Sequence, residues 1–135
     1  PADRFMALLD RIKLAHQHLG LIRMAHLRRT HLLGAYVASD VNLLAELSLY
    51  GKFFELPDRV FFRRFHKDSG SWKRGDAEHE GRRYRRHLGF FPAVHSCPLP
   101  WNSKARLYRF LLRRMMWDRR DLRAELSAYL RTALS

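Results

Sequence analysis

The sequence predicts an α/β fold, on three observations. The chain has 135 residues, 47% of them hydrophobic and 13% aromatic, enough for one sizeable core and too few for two full domains. Segments with apolar residues at helical spacing stand near the N-terminus, after Asp40, and twice near the C-terminus. Between the first two of these segments, and again after the second, lie short runs rich in branched and aromatic residues: Leu19–Ile22, Phe53–Leu56 and Val60–Phe65.

The elements run in order along the chain. Asp3 suits the start of a first helix with Phe5, Leu8, Leu9, Ile12 and Ala15 on one face, ending between His18 and Gly20. Leu19, Leu21 and Ile22 suit a short strand, a turn of helix comes next toward Leu33, and Gly34 opens a loop. From Asp40, Val41, Leu44, Ala45 and Leu47 repeat at helical spacing, and Gly51 is placed to end that helix. Two strands, Phe53–Leu56 and Val60–Phe65, then flank a turn at Pro57-Asp58. The second strand carries apolar residues on both faces, as in a strand covered on two sides. From His66 to His87 the chain is polar and aperiodic, a loop running into a short basic helix, and Pro92, Pro98 and Pro100 punctuate the next segment. Two helices close the chain, one over about Lys104–Trp117 and one starting near Asp118 or Asp121. This pattern suggests a unit over residues 1–92 and a helical extension over 93–135.

The charge narrows the partners. Twenty-six Lys and Arg oppose 13 Asp and Glu, a formal +13; five are lysines (13, 52, 67, 73 and 104), which leaves 21 arginines. Arginine's planar fork suits phosphate and carboxylate, and a surface this basic suits nucleic acid or an anionic membrane. The run "GRRYRRH", Gly81–His87, with "LLRRMMWDRRDLR" behind it, fits either partner or a solvated helix face. A single cysteine, Cys97, excludes an internal disulfide and points to a reducing, cytoplasmic setting. The N-terminal stretch has the pattern of neither a signal peptide nor a membrane span, and it reads as mid-protein, so a fragment or a processed piece is expected.

Asp40 is the first candidate for chemistry. It stands where a helix begins, so simple capping is one reading, stabilising by up to about 1 kcal/mol. The other is a general base that takes a proton from a hydroxyl as its oxygen attacks. In "FFRRFHKDSGSW", Arg63, Arg64 and His66 form either a solvated basic strand end or an anion site closed by the adjoining loop. The other histidines show no ligand spacing and read as ordinary surface or partly buried residues.

The stretch "GLIRMAHLRRTHLLGAYVASDVNLLAELSLYGKFFELPDRVFFRRFHKDSGSW", about residues 19–72, resembles the C-terminal, acceptor-side half of a family 2 glycosyltransferase with the A-type nucleotide-sugar-binding fold. The resemblance lies in the order and spacing of Gly20–Arg23, Gly34, Asp40, "LLAELSLYG", "FFELP", "VFFRRFH" and "SGSW". It implies an inverting sugar transfer from a nucleotide-sugar to a hydroxyl acceptor, with Asp40 as the base. It also implies a donor side formed by Arg64 and His66 with the loop residues Ser69, Ser71 and Trp72. A divalent metal, Mg or Mn, is implied for the intact enzyme, with ligands mostly outside this chain, since no D-x-D motif occurs in it. Ser39 stands where that family usually has Glu. The alternative from another class is a small basic helical module that binds nucleic acid or an acidic partner.

Overall fold

A computed structural model describes residues 1–13, 15–36, 38–58, 62 and 82–134. These residues form six α-helices and one 3-10 turn: α1 (Ala2–Arg11), the turn His16–Leu19, α2 (Met24–Leu27), α3 (Ser39–Tyr50), α4 (Arg82–Ser96), α5 (Trp101–Trp117) and α6 (Arg119–Leu134).

The core is where α1, α3, α4 and α5 meet. Ala2, Phe5 and Leu9 of α1 close on Ala45 and Leu49 of α3, Phe90 and Val94 of α4, the adjoining Cys97, and Leu107, Phe110 and Leu111 of α5. Phe5 meets Phe90 edge-on, with ring centroids 6.0 Å apart. One core thus joins residues on both sides of position 92.

Helix α3 is the central element. A surface helix shows one apolar stripe, but α3 buries every residue from Asn42 to Leu49, including Glu46 and Ser48. Gly51, in extended conformation, donates its N–H to the Leu47 carbonyl and ends the helix where expected. Helix α1 is shorter than expected. Ile12 turns extended after donating to the Leu8 carbonyl, and among the described residues between there and Gly20 a single 3-10 turn forms. Pro92 lies inside α4 instead of punctuating the chain. It removes one intrahelical hydrogen bond, but the buried Phe90, Ala93 and Val94 around it hold the helix on course.

The α/β expectation is overturned: the fold is helical, with no strand among the described residues. The A-type glycosyltransferase architecture expected with it is therefore not the architecture of this chain. Leu19–Ile22 divides between the 3-10 turn and an extended link into α2. Phe53–Leu56 is without secondary structure, and Phe54 is 87% exposed. Of Val60–Phe65 only Phe62 is described, and it too is exposed. The physical reason is pairing. Aromatic and branched residues suit a pleated surface, but a strand exists only where a neighbour takes up its amides and carbonyls. The described segments have none. No described helix is long and apolar enough to cross a membrane.

Candidate active site at the mouth of α3

The loop before α3 turns twice through left-handed conformation, at Leu32 (φ 60°) and Ala38 (φ 68°). Neither is glycine, so each costs about 1–2 kcal/mol against an ordinary conformation. Ala38 is the residue that caps α3, and no side chain takes part in that cap. The helix therefore begins two residues earlier than the capping reading of Asp40 requires. Asp40 is instead the second helical residue, a first-turn acid favoured by the positive end of the helix dipole. Its Oδ1 accepts from the N–H of Val41 at 2.9 Å. Its Oδ2 lies 3.9 Å from Nδ1 of His18, whose ring also contacts the Ala15 carbonyl. The side chain is 34% exposed, so solvent or a hydroxyl can reach the carboxylate, while the helix behind it is buried.

Below this mouth α3 carries a polar floor. Asn42 donates from Nδ2 to the Arg86 carbonyl at 2.9 Å, tying α3 to the start of α4, while its buried Oδ1 has no partner among the described residues. Gly89 of α4 permits that approach: a Cβ there would lie 2.6 Å from both Asn42 Nδ2 and the Tyr36 hydroxyl. One turn further along α3, Glu46 is only 3% exposed. Its Oε2 accepts from the His31 backbone N–H at 2.9 Å, and Oε1 lies 2.8 Å from His31 Nδ1. Burial raises the Tyr36 and Tyr50 hydroxyls above the usual phenol range, and the Glu46 charge pushes both the same way.

Elsewhere, His87 is buried in α4 with Nε2 2.9 Å from Asp118 Oδ2, and burial lowers its pKa. Cys97 is buried and its thiol is pushed up by burial, so it is no accessible nucleophile.

Of the residues expected to form the site, the structure places Asp40 alone; Arg64, His66, Ser69, Ser71 and Trp72 lie outside the described residues. No group of three His, Cys, Asp or Glu among the described residues could hold a metal ion, and the resemblance places the ligands of the Mg or Mn mostly outside this chain. His18, Asn42, Glu46 and His31 were not singled out by spacing. Glu46 carried a signal nonetheless, as a lone charge inside the apolar run Leu43–Leu49. A shallow hollow of about 210 Å³, lined by Met6, Arg106, Arg109, Phe110 and Arg113, lies between α1 and α5 and does not include Asp40. No protein-family model, curated protein or solved structure matches the chain.

Proposed function

We propose that this chain is the acceptor-side part of an inverting glycosyltransferase, with Asp40 as its general base. The sheet that the sequence resemblance brought with it is not part of the proposal. The observation that carries it is the state of Asp40. A carboxylate in the first turn of a fully packed helix is only partly engaged, is open to solvent, and stands near a residue held in left-handed conformation. Strain of that kind concentrates at functional positions. The ordered motifs flanking Asp40 supply the reaction class.

In the proposed step an acceptor hydroxyl approaches Asp40 and passes its proton to the carboxylate as its oxygen bonds to the anomeric carbon. The bond from that carbon to the donor diphosphate breaks, and the electron pair leaves with the phosphate oxygen. His18 stands beside the carboxylate, with Nδ1 3.9 Å from Oδ2. Donor contacts fall to Arg64, His66, Ser69, Ser71 and Trp72, as the resemblance implies, and the step is written through no metal. A cytoplasmic setting accompanies this reading, supported by the single buried thiol of Cys97.

The test is release of nucleoside diphosphate from a panel of nucleotide-sugars in the presence of hydroxyl acceptors, by the full-length protein and its Asp40→Asn variant. Transfer that disappears in the variant supports the reading. Near-normal turnover in Asp40→Asn removes Asp40 from the mechanism. Salt-resistant retention on DNA, with no protection by any nucleotide-sugar, moves the assignment to a polyanion-binding module.

A further inference from the structure

The outer face of α5 is built for a surface that is apolar and anionic at once. The helix satisfies the core with Leu107, Phe110 and Leu111, all buried. At 100° per residue, a second apolar ridge runs along the opposite side through Trp101, Ala105, Leu112 and Met116. Trp101 is 71% exposed, Leu112 52% and Met116 59%. The helical rise makes this ridge about 22 Å long. Next to it on the same helix stand Arg109, Arg113 and Arg106, spaced so that all three line the hollow against Met6 of α1. Arg106 is held by Asp3 at 2.8 Å, and Arg113 lies over the Trp117 ring at 5.0 Å. Arg109 is exposed toward solvent.

We infer that this face docks on an anionic lipid bilayer. The ridge would enter the boundary between headgroups and acyl chains, and the arginine row would meet lipid phosphates. An exposed tryptophan beside a row of arginines, on a helix too polar to cross, is the pattern of a helix lying in the interface plane. Two other occupants match this face less well. A second copy packed ridge to ridge would bring two arginine rows together in a chain of formal charge +13. Nucleic acid would use the arginines but would leave Leu112 and Met116 exposed to water. This inference does not depend on the role of Asp40.

The test is flotation of the full chain with vesicles of phosphatidylcholine alone and with about 30% phosphatidylglycerol. The expected result is binding to the anionic vesicles only, with a blue shift of tryptophan emission that Trp101→Phe removes. Arg109→Gln with Arg113→Gln should lower partitioning by about 30-fold, since each cation near an anionic surface contributes about a factor of five. Leu112→Ser with Met116→Ser, which removes the ridge without adding charge, should abolish flotation while leaving retention on a DNA column unchanged. If that pair disturbs the circular dichroism of the chain, Leu112→Ala with Met116→Ala replaces it and should lower flotation. No flotation with anionic vesicles overturns the inference. So does flotation that survives loss of the ridge, which would assign the arginine row to polyanions in general. Lipid-free self-association that these same substitutions abolish would assign the ridge to a second copy.

Discussion

Substituting Gly89 by Ala tests the packing that fixes α3 against α4, beneath the mouth that carries Asp40. In an open helix position this change would stabilise by up to about 1 kcal/mol, because glycine is a poor helix former. Here the added Cβ meets Asn42 Nδ2 and the Tyr36 hydroxyl, each 2.6 Å away, and Asn42 Cγ at 3.0 Å. Tyr36 is half-buried in a loop and can swing aside. Asn42 cannot, because it is buried and its amide donates to the Arg86 carbonyl. Overpacking of this kind costs about 1–3 kcal/mol, and a weakened hydrogen bond adds about 1 kcal/mol. Those costs exceed the propensity gain, leaving a net destabilisation of about 1–3 kcal/mol. For a chain of this size that lowers Tm by about 4–10 °C. Thermal melts monitored by far-UV circular dichroism measure it. A double-mutant cycle with Asn42→Ala should show coupling above about 0.5 kcal/mol, because Asn42 is the group in the way. An unchanged or higher Tm for Gly89→Ala, or additivity with Asn42→Ala, would mean that Asn42 does not stand in the way of the added Cβ.

Buried groups give three further outcomes. Burial, aided by Arg86 and Arg114 and opposed by the hydrogen bond and charge of Asp118, holds His87 below its ordinary pKa of about 6.5. The unfolded chain therefore takes up that proton first, so the stability is complete above the ordinary histidine range and is lost as pH falls through it toward the folded value. Melts should show a steeper loss of Tm from neutral to mildly acid pH in the native sequence than in His87→Gln. Glu46→Gln removes a charge that raises both Tyr36 and Tyr50, so a spectrophotometric titration should show tyrosinate forming at lower pH. Cys97, buried and with its thiol raised, should react with a disulfide reagent only after unfolding; rapid labelling of the native chain would contradict its place in the core.

The helices were largely legible in the sequence, and the reasons are local. Asp40 through Gly51 reads as a helix because period and terminator agree, and α3 ends within a residue of that reading. The span expected over Lys104–Trp117 grew only by its first turn, back to Trp101 after Pro100. Misreadings arose where the outcome depends on distant neighbours. Phe53–Leu56 has strand composition but no strand beside it among the described residues to complete its hydrogen bonds, and a sequence window cannot show a missing partner. Pro92 reads as a stop because the local cost is visible, whereas the burial of Phe90, Ala93 and Val94 that offsets it is not. At the candidate site, the position of Asp40 at a helix start was readable from Ser39-Asp40. The cap at Ala38, the approach of His18 and the pairing of His31 with Glu46 depend on the loop between them, where spacing carries no information. His87 showed the same limit: its partner Asp118 is 31 positions away.

Whether Asp40 serves chemistry or the helix is separated by turnover and Tm measured together on Asp40→Asn. Because the cap at Ala38 uses no side chain, the substitution should change stability by no more than about 1 kcal/mol while sugar transfer falls by about 100-fold or more. A variant that melts early yet keeps its transfer rate in proportion to its folded fraction would contradict a chemical role for this carboxylate.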